Sequence, residues 1–163
     1  MKKITKLKNN LLIKSTLFFF LSFTLLCMPF QANAEIALTE INGEMINAST
    51  EFLRDLDYET WQLVAYKSPF NEEKLILRII GYPGSLRIDH PLELNVESGR
   101  KQWFLRDETL KNSQLANDIR QAAAEFDLEQ LIQDLSQNRP LRLSLPGVFS
   151  ELPVPPFLVK EWR

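Results

Sequence analysis

Cysteine is all but missing from the sequence. The 163 residues hold one, Cys27, inside the apolar run 15–30 (STLFFFLSFTLLCMPF). Leu26 stands before it, where a lipoprotein signal carries a small residue, so Cys27 reads as one more apolar residue of that run. Beyond position 34 there is no cysteine. That excludes disulfides, thiol catalysis and cysteine-ligated metals from the rest of the chain. Histidine is as scarce, with His90 alone. A zinc site needs three or four ligands of the His, Cys or carboxylate kind, so none is expected. The five glycines are isolated and mostly in turns. No phosphate-cradling loop and no Gly-x-Ser-x-Gly elbow can be built from them. No cofactor is expected. No basic run follows residue 34, which argues against nucleic acid as a partner.

The first 34 residues have the pattern of an export signal. Lys2, Lys3, Lys6, Lys8 and Lys14 form a positive head, the apolar run follows, and Ala32-Asn33-Ala34 is a small-x-small cleavage site. The run is short for a membrane span, and no later stretch is apolar enough for one. Cleavage after Ala34 leaves 129 residues with 14 basic and 21 acidic side chains, a net charge of −7. That length suits a single domain.

Residues 35–50 are polar and read as a mobile lead-in with a turn at Asn42-Gly43. Residues 51–163 read as one domain. Residues 60–67 (TWQLVAYK) alternate as a strand, and residues 74–82 (KLILRIIGY) are apolar on both faces, as in a central strand. Tyr82-Pro83-Gly84-Ser85 signals a turn. Residues 86–90, 92–97 and 101–106 read as further strands, with Pro91 at a bend or edge and a hairpin at Ser98-Gly99.

Residues 113–135 (SQLANDIRQAAAEFDLEQLIQDL) place Leu115, Ile119, Ala122, Ala123 and Phe126 on one helical face, continued by Leu128, Leu131, Ile132 and Leu135. A break near Phe126-Asp127, with Asp127 capping a second helix, is expected. Residues 141–145 form a last strand, and three prolines make the start of the tail 151–163 extended. The expected fold class is α+β: a mainly antiparallel sheet of five to six strands packed against one helical layer.

Candidate chemistry is thin. His90 with Asp89 or Glu93 is the one acid–base grouping available, set against a structural role for a histidine that fixes a bend before proline. Asp55, Asp57 and Glu59 alternate, but a calcium loop begun at Asp55 fails at its sixth and twelfth positions, Thr60 and Tyr66, so a solvated edge is expected. Arg78, Arg87, Arg106 and Arg142 fall in expected strands, as an anion-binding ladder or, more simply, as cross-strand partners of carboxylates. Trp61, Tyr66, Trp103 and Phe104 are candidates to line a ligand pocket. The tail concentrates Val154, Phe157, Leu158 and Trp162 as candidate partner-binding residues. The alternative is that it folds back as an edge strand over its own core.

The strings FLRDLDYETWQLVAYK, LRIIGYPG, RIDHP, AAAEFDLEQLI, NRPLRLSLPG and ELPVPPFLVKEWR together resemble a family of small exported cyanobacterial proteins known as a domain of unknown function. The resemblance covers residues 51–163 and brings no catalytic residue with it. It implies a cyanobacterial host and the periplasm or thylakoid lumen as destination. The expected function is that of a non-catalytic accessory protein assisting a membrane complex, and the resemblance implies one of the photosynthetic apparatus. A small-ligand carrier and a small hydrolase using His90 are the alternatives.

Overall fold

The computed structural model describes residues 35–69, 73–82, 88–119 and 122–163, all within one compact unit, Asn33–Arg163. The expected export signal, the turn at Pro83-Gly84 and Arg87 lie outside the described residues.

Nine strands form two sheets among the described residues, and every pairing is antiparallel. The first sheet has the order β1 (Glu35–Ile41), β2 (Glu44–Arg54), β3 (Thr60–Lys67), β4 (Leu75–Ile80), β7 (Ala123–Asp127). The second has the order β6 (Lys101–Leu105), β5 (Leu94–Ser98), β8 (Leu141–Leu145), β9 (Phe149–Val154). Three short helices complete the fold: α1 (Ser113–Ala116), α2 (Glu129–Asp134) and α3 (Pro156–Trp162). A 3-10 turn at Thr109–Lys111 precedes α1.

The period of two decides which side chains meet. Trp61, Leu63 and Ala65 on β3 are in register with Leu53, Glu51 and Ser49 on β2, and with Ile79 and Leu77 on β4. Across the gap stand Leu94 and Val96, paired with Leu105 and Trp103, then Leu141, Leu143 and Leu145, paired with Val154, Leu152 and Phe149. These inner faces share one core, in which Trp61 meets Phe149 edge-on at 5.0 Å. Each fully buried Leu or Ile contributes about 1.5 to 3 kcal/mol. Leu131 of α2 and Leu158, Val159 and Trp162 of α3 enter the same core. A smaller cluster of Ile41, Ala48, Val64, Tyr66 and Ile76 lies on the opposite face of the first sheet.

Several expectations are corrected. The sheet-dominated fold carries no single helical layer, so α+β describes it only in part. Residues 113–135 are not one helical layer: their middle is strand β7, flanked by two short helices. Ala122, Ala124, Phe126 and Leu128 are all buried, a spacing of two that outweighed the helix preference of the alanines. Ile119, placed on the helical face, is 93% exposed. Asp127 is not the cap of α2: the N-cap position is Leu128, no side chain caps it, and Asp127 Oδ1 accepts from Glu129 N at 2.9 Å from one residue further out.

The expected lead-in is strand β1 and most of β2, joined by a hairpin turn in which Asn42 and Gly43 both take positive φ, 55° and 83°. Ile88 to His90 are not in a strand, although Ile88 is fully buried.

Asp55 was expected on a solvated edge and is buried instead. Its Oδ1 accepts from the Asp57 and Glu59 amides, both at 2.9 Å, and its Oδ2 from Trp61 Nε1 at 2.9 Å. One carboxylate thus shapes the β2–β3 turn and fixes the largest side chain of the core. Asp55→Ala strips partners from three donors, two of them backbone, and is expected to lower unfolding free energy by about 2 to 4 kcal/mol. Urea denaturation of the variant checks this.

Candidate functional site

The residues singled out by sequence do not form one site. His90 Nδ1 donates to Asp107 Oδ2 at 2.8 Å, not to Asp89 or Glu93, both of which are exposed. The imidazole and the Asp107 carboxylate are buried together, at 6% and 3% exposure. Asp107 also accepts from Leu92 N at 2.9 Å and Thr109 N at 2.8 Å. This grouping pins the bend before β5 to the segment leaving β6.

The tail folds back on its own core. β9 is the edge strand beside β8, where the missing N–H of Pro153 is tolerated, and Pro156 opens α3 at its first turn. Val154, Leu158 and Trp162 are buried by the chain itself, and Phe157 is partly buried against the same core. The aromatics proposed as a pocket lining also diverge. Trp61 and Trp103 face the core, Tyr66 lies on the other face of its sheet, and Phe104 is 63% exposed on the outer face of the second.

The polar groups that do converge lie on the outer face of the first sheet. Arg78 on β4 and Glu125 on β7 sit directly opposite each other. The Glu125 carboxylate is 6% exposed and takes the guanidinium through Nη2 at 2.6 Å and Nε at 2.8 Å. Tyr66 donates its hydroxyl to the same Oε1 at 2.5 Å, and Asn112 Nδ2 reaches both oxygens at 3.1 and 3.2 Å. The Asn112 Oδ1 in turn accepts from the Gln114 and Leu115 amides and caps α1. Burial raises the Tyr66 hydroxyl well above its ordinary pKa, and the Glu125 charge and hydrogen bond add to the rise, so Tyr66 stays protonated.

Thr109 joins this network to the histidine. Its Oγ1 accepts from Glu125 N at 2.8 Å, and its hydroxyl also bonds the Asp107 carboxylate. Residues 106–108 clip onto β7, with Glu108 N donating to Glu125 O at 2.8 Å and Asp127 N to Arg106 O at 3.3 Å. The otherwise free edge of the sheet is thereby covered. Of the arginines, Arg78 and Arg142 face carboxylates across strands, the latter Glu151 at 4.0 Å, while exposed Arg106 lies just past β6. No arginine ladder forms among the described residues.

Beside Glu125 opens a cavity of about 330 Å³. Asn42 of the hairpin turn, Ser68 and Ile76 line one side, and Glu108, Lys111 and Asn112 the other. Glu108 is buried and ion-paired with Lys111, whose side chain is 60% exposed. A second, shallower groove crosses the ends of β2, β3 and β4, where Phe52, Gln62 and Ile80 are in register and Tyr58 and Tyr82 flank them. Phe52, Tyr58 and Tyr82 are 62%, 80% and 73% exposed. Sequence reading missed both features. The alternation of β2 was hidden by its polar residues, and the partners of Glu125 come from three separate segments.

The geometry defines an antiparallel two-sheet protein with a buried carboxylate network and several surface concavities. The chain matches, over residues 34–163, the family described as a protein of unknown function, DUF3122, and belongs to that family. No curated protein and no solved structure matches it. No helix among the described residues is long and apolar enough to cross a membrane, and those residues hold no cluster of three or more metal-ligating side chains.

The histidine grouping sets an acid limit on stability. Burial opposes the Asp107 charge, but the Thr109 hydroxyl, His90 and the Leu92 and Thr109 amides outweigh it, so its carboxyl is held below the usual aspartate value. A depressed folded-state pKa contributes stability that is full above the unfolded value of about 4 and fades as pH falls through the folded one. Asp107→Asn is expected to remove that part of the acid limb and to lower the neutral plateau by about 2 to 3 kcal/mol. Denaturation midpoints across the acid range check both.

Proposed function

We propose that the chain is an exported, non-catalytic accessory protein that acts by docking on a membrane protein complex in the periplasm or thylakoid lumen of a cyanobacterium. The observation that carries this is the groove of Phe52, Tyr58 and Tyr82. Three aromatic side chains held mostly in water, with Phe52 on β2, Tyr58 in the β2–β3 connection and Tyr82 just past Ile80 of β4, are an unfavourable surface for a protein with no partner. Tyr and Phe held this way act as anchors, because they bury much area and lose little conformational freedom on docking.

Two further features support the reading. The pattern of residues 1–34 is that of an export signal. His90 and Asp107, the strongest acid–base pair, are committed to holding loops together. The net charge of −7 on residues 35–163 favours a partner surface with basic character around an apolar centre. A role in assembly, stability or repair of a photosynthetic complex is part of the proposal.

Native-gel migration of the tagged chain from host membranes, beside Phe52→Ser/Tyr58→Ser, tests this. The wild type is expected to migrate with a large complex and the variant to run free while keeping its circular dichroism. Equal migration of both, or a free wild type in every fraction, would refute it.

A further inference from the structure

The two edges of the first sheet are treated differently. At the β7 edge the outward-pointing Glu125 O and Asp127 N are taken up by Glu108 N and Arg106 O. At the other edge stands β1, whose one strand neighbour among the described residues is β2. The hydrogen-bond phase can be followed across the sheet from the β7 side. Leu128 N donates to Leu75 O and Gly81 N to Ala122 O, so β4 bonds β7 through its odd-numbered residues. An antiparallel strand bonds its two neighbours through alternate residues. The even residues of β4 therefore bond even residues of β3, the odd residues of β3 bond odd residues of β2, and the even residues of β2 bond odd residues of β1. Ile36, Leu38 and Glu40 are left with their N–H and C=O groups directed away from the sheet.

This edge carries none of the usual guards. Residues 35–41 (EIALTEI) hold no proline and no lysine, and the register with β2 runs without a bulge. It also carries an apolar patch. Leu38 is 63% exposed, and Met45, which is in register with Glu40 and so diagonal to Leu38 on the same face, is 61% exposed.

From these two observations we infer that β1 pairs with β1 of a second copy of this chain, antiparallel about a two-fold axis at Leu38. The sequence fits itself in one register. With Leu38 opposite Leu38, all three outward residues find outward residues: Ile36 meets Glu40, Leu38 meets its copy, and Glu40 meets Ile36, each pair exchanging both its bonds. A shift of two residues either way leaves one of the three unpaired. In the chosen register Glu40 stands at the position of Ile36 of the second copy and Glu35 at that of Ile41, so no acid is set opposite another. The Leu38 and Met45 patches of the two copies join into one strip, and the sheets become continuous across an isologous interface. Phe52 lies on the opposite face of β2 from Met45, so pairing leaves the aromatic groove open, and neither reading depends on the other.

Sedimentation velocity of the chain as its host exports it tests this. The wild type is expected to form a dimer with a Kd of about 100 μM or tighter. Because each copy carries −7 beyond residue 34 and the pairing uses no ion pair, added salt is expected to tighten it. Leu38→Lys and Leu38→Glu each set like charges face to face and are expected to weaken the dimer roughly tenfold or more. Leu38 is mostly in water, so both variants keep the wild-type circular dichroism. An equimolar mixture of the two variants is expected to recover dimer, since opposite charges then meet at the axis. A wild type that stays monomeric above about 100 μM would overturn the inference. So would a dimer that neither variant weakens, a mixture that stays monomeric, or assemblies that grow past two copies with concentration.

Discussion

The charge on Glu125 is the constraint from which much of this molecule follows. A carboxylate this far from water is tolerated only with a countercharge and donors for its lone pairs. Arg78 supplies the charge from the neighbouring strand, Tyr66 a hydroxyl from the next, and Asn112 an amide from the segment that crosses above. Satisfying one side chain therefore fixes the pairing of β4 with β7 and ties the Thr109–Ala116 segment to the sheet. It also raises one wall of the cavity. The outer face of the sheet is thus held by this polar network beside the small cluster of Ile41, Ala48, Val64, Tyr66 and Ile76, and the inner face by ordinary apolar packing alone.

The second constraint is economy of chemistry. With one histidine and, beyond residue 34, no cysteine, few reactive groups are available, and the fold spends the histidine on anchoring a bend to Asp107. What remains for function is surface: an aromatic groove at one end of the first sheet and a polar cavity beside β7. Both are built where strand ends and the connections between them meet.

The sequence disclosed its strands unevenly. β3 and β8 were legible to the residue because each alternates cleanly, and the Asn42-Gly43 turn because its dipeptide names its geometry. β7 was not, since AAAEFD satisfies both a helical and an alternating pattern, and only pairing with β4 decides between them. Cross-strand pairing of the arginines was legible as a type of interaction, but the identity of the Arg78 partner was not, because Glu125 lies 47 residues away. The tail read as adhesive since its apolar residues stand among prolines. Those prolines sit at an edge strand and a helix start, where they cost little. The candidate sites were least legible, because the groove and the cavity each gather residues from several segments.

A double-mutant cycle on Arg78 and Glu125, followed by urea denaturation, tests the central claim most directly. If the buried pair organises this face, Arg78→Met and Glu125→Leu each strand a partner and cost about 3 to 5 kcal/mol. The double variant then costs far less than their sum, leaving a coupling of about 2 kcal/mol or more. Additive costs, with no coupling between the two sites, would contradict the account and reduce Glu125 to one polar contact among many.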